Sequence, residues 1–132
     1  MTLVVDASVL VAASVDAGQP GAWAIEVITQ QPLYAPHLVL VEATNVLRRL
    51  VQAGRLEQLE ATEAARDLNR FGLRLLPFTP FAERVWQLRA NLSSYDAWYV
   101  AIAERLDLRL ATLDGRLMRA PGPTCQFLVM EK

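Results

Sequence analysis

The sequence predicts an α/β fold, one domain in which helices sandwich a mostly parallel sheet. Short apolar, β-branched runs alternate with helical segments along the chain, the order that a parallel sheet with crossover helices requires. With 132 residues, 53% of them apolar, and no repeated or low-complexity block, there is material for one core, and the expected domain spans residues 1–132.

Each element follows from local chemistry. The β-branched run Thr2-Leu3-Val4-Val5 reads as a buried strand that stops at Asp6. A helix is expected over residues 7–14, a loop at Gly18, Pro20 and Gly21, and a second helix over residues 23–31 closed by Pro32. Leu33-Tyr34-Ala35 forms the next strand. In residues 38–53 the apolar Val39, Ala43, Val46, Leu47 and Leu50 recur at helical spacing, and Gly54 supplies the stop. Residues 57–71, rich in Ala, Leu and Glu, make another helix, and residues 73–76 a strand. Thr79 before Pro80 reads as an N-cap with proline at the first helical position, opening a helix that runs to about residue 92. Ser93 to Asp96 start the next helix, whose middle, residues 97–103, is apolar on every side and belongs inside. Residues 108–112 form a strand, Asp114-Gly115 a turn, and residues 126–130 a last strand. Sites in such sheets gather beyond the C-terminal ends of the strands.

The net charge of −1 gives no support to a strongly basic nucleic-acid binder, but the charge is unevenly spread. Residues 1–47 carry four acids and no lysine or arginine, while the remainder carries thirteen bases against ten acids. Twelve of those bases are arginines, whose planar fork suits phosphate oxygens; ordinary solvated helix faces are the competing explanation for each. The lone Cys125 cannot form an intramolecular disulfide, and no basic residue precedes the apolar start, unlike a secretory signal. No uncharged apolar stretch approaches the ~20 residues of a membrane-spanning helix. A cytoplasmic location away from membranes is therefore expected.

Four acids occupy unusual positions. Asp6 and Asp114 fall at or just beyond the ends of apolar strands, Asp96 opens the most apolar helix, and Glu42 has Leu38, Val39 and Val46 as helical neighbours. A parallel sheet is able to gather all four at one edge. Two carboxylates ~4 Å apart repel by about 4 kcal/mol at an effective dielectric of 20, so four together require compensation, which a hard dication provides. Mg²⁺ or Mn²⁺ in such a site orients water for attack on a phosphodiester. Each acid also has a plainer explanation: Asp6 as a helix cap, Ser93-x-x-Asp96 as a capping box, Asp114-Gly115 as a turn.

At these residues the chain resembles the PIN-domain proteins, and more narrowly the VapC toxins of toxin–antitoxin pairs. The resemblance rests on Leu3-Val4-Val5-Asp6-Ala7-Ser8, Glu42-Ala43-Thr44-Asn45-Val46-Leu47-Arg48-Arg49, the block from Tyr95-Asp96-Ala97 to Ala103-Glu104, and Leu110-Ala111-Thr112-Leu113-Asp114, in that order over nearly the whole chain. It implies a PIN-like three-layer sandwich and a Mg²⁺- or Mn²⁺-dependent endoribonuclease, homodimeric and inhibited by a small VapB-like antitoxin. Asp6, Glu42, Asp96 and Asp114 then become the metal-binding acids, Ser8 and Thr112 their polar supports, and Asn45 a further support one turn beyond Glu42. Some relatives carry another acid shortly after the position of Asp114, where this chain has Arg116 and Leu117. Arg48, Arg49, Arg84 and Arg116 are candidates for neutralising RNA phosphates, with surface ion pairing as the alternative.

Two rivals share parts of this pattern. An aspartate-based phosphatase wants a second aspartate two residues after Asp6, where Ser8 stands, and a phosphoacceptor wants a late lysine, whereas the only lysine is the terminal Lys132. A catalytically idle PIN-like binding module has no need of all four acids. His37 beside Pro36 is expected on the surface, Trp23, Trp86 and Trp98 in the core, and Cys125 in a structural role.

Overall fold

The computed structural model describes residues 2–30 and 32–131. Its five strands, β1 (Leu3–Val5), β2 (Leu33–Pro36), β3 (Leu73–Leu76), β4 (Arg109–Ala111) and β5 (Phe127–Leu128), form one sheet in the order β3-β2-β1-β4-β5. All neighbouring strands are parallel, and β1 in the middle pairs with β2 on one side and β4 on the other. Burial on both faces explains why Leu3, Val4 and Val5 are uniformly apolar rather than alternating.

Topology then decides where the helices lie. The chain first steps outward from β1 to β2 to β3 through α1 (Ala7–Val15), α2 (Gln19–Ile28), α3 (Val39–Gln52) and α4 (Gln58–Leu68). It returns across the sheet to β4 through a 3₁₀ turn (Thr79–Phe81), α5 (Ala82–Gln87) and α6 (Ser94–Leu106), and reaches β5 after α7 (Gly115–Arg119). Because crossovers are right-handed, the reversal of direction sends the two helix sets to opposite faces. The packing agrees: α1 contacts α2, α3 and α4, whereas α6 contacts α5 and lies along β1, β2 and β4. The product is a three-layer α/β sandwich. Its switch point, where strand order reverses, lies between β1 and β4.

Several elements depart from expectation. The loop expected at Gly18, Pro20 and Gly21 holds only for Gly18: α2 starts at Gln19 with Pro20 in its first turn, where the missing amide costs nothing. That helix ends at Ile28, and Gln31, its expected end, lies outside the described residues. Phe78, not Thr79, precedes the 3₁₀ turn, and α5 stops at Gln87 instead of residue 92. The strand expected over residues 126–130 is reduced to Phe127–Leu128, and Asp114-Gly115 opens a short helix rather than a simple turn. Trp23 packs at the core margin and Trp98 inside it, as expected, but Trp86 is 67% exposed, with the Arg89 guanidinium 4.4 Å over its ring. Among the described residues no helix is long and apolar enough to cross a membrane.

Candidate metal centre

The four acids reach one edge of the sheet by four separate routes, each at the start of a helix. Asp6 leaves β1 as the N-cap of α1, accepting a hydrogen bond from the Val9 amide. Glu42 lies in the first turn of α3 and Asp96 in the first turn of α6, behind the Ser93 cap that accepts from the Asp96 amide. Asp114 leaves β4 as the N-cap of α7, its Oδ1 accepting from the amides of Arg116 and Leu117. Capping and membership of a shared site are thus compatible in these residues. A helix N-terminus favours negative charge, so four such termini partly offset the crowding of anions.

The remaining offset is incomplete. Burial raises the pKa of Asp6 above the ordinary carboxylate range, against the hydrogen bonds from Ser8, Thr112 and Val9, and repulsion from Asp114 adds to it. Glu42 is raised by burial and by Asp96 and Asp6, against its bond from Tyr99. Asp96 is raised by burial and by Asp114, with Ser93 and the Arg116 cation opposing. Each acid is therefore repelled by two of the other three, in a closed circuit. Among the described residues no three Asp, Glu, His or Cys side chains converge tightly enough to form a ready-made metal cluster. The acids share a field without being drawn onto one point. Their oxygen-only chemistry and mutual repulsion fit a hard dication such as Mg²⁺ or Mn²⁺.

Hydroxyls hold this arrangement. Ser8 Oγ donates to Asp6 Oδ1 at 2.5 Å and accepts from the Leu113 amide at 3.1 Å, while Thr112 Oγ1 donates to Asp6 Oδ2 and accepts from the Asp114 amide at 2.9 Å. Both side chains tie the end of β1 to the end of β4. Tyr99, in the apolar segment 97–103 expected inside the protein, donates its hydroxyl to Glu42 Oε1 at 2.9 Å, and burial beside that carboxylate pushes its pKa up. The available signal was that Tyr99, three residues after Asp96, carries the one hydroxyl in the apolar segment 97–103.

The outer candidates divide. Arg116 lines a cavity of about 270 Å³ with Ser93, Asp96 and Asp114, and Arg49 lines a groove with Glu42. Asn45 also lines that groove, but its Oδ1 accepts from Arg48 Nε at 2.9 Å; the partner of Glu42 is Tyr99 instead. Arg84 is committed elsewhere: its Nε and Nη2 grip Glu104 at 2.7 and 3.1 Å, and Nη2 also reaches the Gly122 carbonyl, which is the ion-pairing alternative. That pair holds Glu104 below its ordinary pKa although burial acts in the opposite direction. His37 is exposed, and Cys125 is half-buried with its thiol pushed up to about 11, mainly by burial.

The PIN domain model matches residues 3–123. The chain belongs to the PIN-domain family. Among PIN proteins it is similar to ribonuclease VapC9 of Mycobacterium tuberculosis, 39% identical over 130 residues that span 98% of this chain and 99% of the relative, which places it in the VapC type. The crystal structure of PAE2754 from Pyrobaculum aerophilum superposes with a TM-score of 0.72 at 23% identity, covering 98% of this chain and 89% of that one. VapBC2 from Rickettsia felis, solved bound to a DNA fragment from their promoter, gives 0.68 at 13% identity, covering 99% of this PIN chain and 100% of the other. These structural likenesses bear on the PIN fold alone.

Proposed function

We propose that this VapC-type PIN protein is a Mg²⁺- or Mn²⁺-dependent endoribonuclease, the toxin of a toxin–antitoxin pair. The observation that carries the reading is the gathering of Asp6, Glu42, Asp96 and Asp114 at four helix starts about the switch point of the sheet, with Thr112 bonded both to Asp6 and to the Asp114 amide. Full-length similarity to a named ribonuclease supports the substrate class.

Asp6, Glu42, Asp96 and Asp114 would hold the ion. When bound, it supplies Lewis-acid polarisation of a phosphodiester and lowers the pKa of water. The chain's own residues prepare the rest. Ser8, Thr112 and the Val9 amide hold both Asp6 oxygens, and Tyr99 fixes Glu42, so the carboxylates reorganise little when substrate arrives. Arg116 on one side and Arg49 on the other place positive charge along the path of flanking phosphates, with Arg48 further out beside Asn45. In the reaction, water oxygen bonds to phosphorus and gives up a proton, one P–O ester bond breaks, and the departing oxygen takes up a proton, so that none is gained or lost overall. Engagement of both Asp6 oxygens and the use of Ser8 as their donor count against the phosphatase and phosphoacceptor rivals.

A VapB-like antitoxin is the proposed partner, supported by the VapBC likeness. Exposed Ile25, Leu59 and Trp86 leave apolar surface for a homodimer, and a cytoplasmic location follows from the RNA substrate. The test is incubation of wild type and Asp6→Asn with a mixed RNA pool, with and without Mn²⁺. Cutting is expected from the wild type with Mn²⁺ only; cutting by Asp6→Asn at the wild-type rate with the same metal overturns the assignment.

A further inference from the structure

Beside the acidic centre, α3 and the first turn of α6 border a groove of about 500 Å³ whose lining includes Leu38, Val41, Glu42, Val46, Arg49 and Tyr95. Three of these leave large apolar surface in solvent: Tyr95 is 57%, Val41 63% and Leu38 37% exposed. Tyr95 is out of character with its helix, since every residue from Ala97 to Ala103 is buried. Nothing among the described residues hydrogen-bonds its hydroxyl. Neither packing nor a polar partner therefore accounts for an aromatic ring at this place. Its position is informative, because Tyr95 directly precedes Asp96 and shares the groove with Glu42, two of the acids of the centre.

We propose that the groove is a nucleobase subsite in which Tyr95 stacks on the base of a nucleotide flanking the scissile phosphate. This rests on the ribonuclease reading and adds the means by which substrate is held. A base has flat apolar faces and a polar edge. The phenol ring and the Leu38 and Val41 side chains match the faces, and the edge is left to the open side of the groove. Arg49 on the same lining supplies the charge that the adjoining phosphate needs amid the acids. The volume falls in the range of small-ligand sites, roughly 300–1,000 Å³. A peptide is the other occupant an apolar groove accepts. The nucleotide is favoured because a strand crossing the acid centre continues past the shared Glu42 wall into the groove, where one aromatic and one cation await one base and one phosphate.

Because Tyr95 is exposed, Tyr95→Ala removes the stack without opening the core. With a short oligoribonucleotide that the wild type cleaves in Mn²⁺, Tyr95→Ala is expected to raise KM about tenfold with kcat near wild type, and Tyr95→Phe to keep the wild-type KM. An abasic nucleotide walked through the substrate locates the stacked base: at one position, next to the cleaved bond, the difference between Tyr95→Ala and wild type disappears. An unchanged KM in Tyr95→Ala, or a difference that survives at every abasic position, overturns the subsite and assigns the groove to a peptide. A folded wild type that cuts no RNA in Mn²⁺ overturns the ribonuclease reading itself, and the subsite falls with it.

Discussion

Asp6 is 7% exposed, and Thr112, which donates to its Oδ2, is 1% exposed. Removing that hydroxyl leaves a buried carboxylate oxygen without its donor and the Asp114 amide without its acceptor, at a cost of about 1–3 kcal/mol. Thr112→Val is expected to lose that much stability in urea unfolding. Tyr99→Phe acts differently, because Glu42 is only half-buried and water replaces part of the lost bond. Its expected effect is small on unfolding and large on function: a 10- to 100-fold loss in Mn²⁺ affinity or cleavage rate. Mn²⁺ titration of both variants separates these outcomes, and a Tyr99→Phe protein with wild-type affinity and rate removes the tyrosine from the site. Asp6, Glu42, Asp96 and Asp114 were legible in the sequence because each breaks a local rule of burial. Tyr99 was not, because a tyrosine in an apolar helix obeys the rule for core aromatics until its hydroxyl is given a partner.

Elements were legible in proportion to their length. The fourteen residues of α3 and thirteen of α6 carry enough turns for periodicity to show, whereas the five of α7 carry barely more than one. Gly21 shows why α2 starts earlier than its local sequence indicates. It sits within the helix because α2 crosses close to the end of α1, where a Cβ would stand 1.8 Å from the Asp16 carbonyl oxygen and 3.1 Å from that of Ala12. Local sequence reports glycine as a turn signal and says nothing of a backbone packed against it. Alanine at this position gains about 1 kcal/mol of helix propensity but forces the two helices apart. Gly21→Ala is therefore expected to lower stability by about 2 kcal/mol or more in chemical denaturation. Gly72→Ala is the control: nothing lies within 4 Å of the added carbon, and little change is expected.

At the scale of the molecule, alternation of strand and helix was enough to predict the parallel sandwich, but convergence of the acids depends on strand order, which alternation does not encode. The order β3-β2-β1-β4-β5 sets Asp6 and Asp114 on adjacent strand ends and faces them with the starts of α3 and α6. The fold thereby concentrates negative charge that its own packing disfavours, and stability without metal acquires an unusual pH dependence. Asp6, Glu42 and Asp96 all have raised pKa values, so between the ordinary carboxylate range and those raised values the folded state binds more protons than the unfolded chain. Stability then rises as pH falls through that window. Glu104 has the opposite sign: its lowered pKa contributes stability above the ordinary value, and this is lost as pH falls toward the lowered one. In EDTA, thermal unfolding should accordingly peak at mildly acidic pH. On the proposed reading Mn²⁺ binds the ionised acids of the folded state, so at neutral pH a hundredfold excess over Kd should add about 2.7 kcal/mol, and the optimum should move toward neutrality. Asp6→Asn should flatten both responses, since it removes the most buried member of the circuit. A metal-free protein whose stability climbs steadily as pH rises above the ordinary carboxylate range contradicts the repulsion on which the proposed metal centre rests.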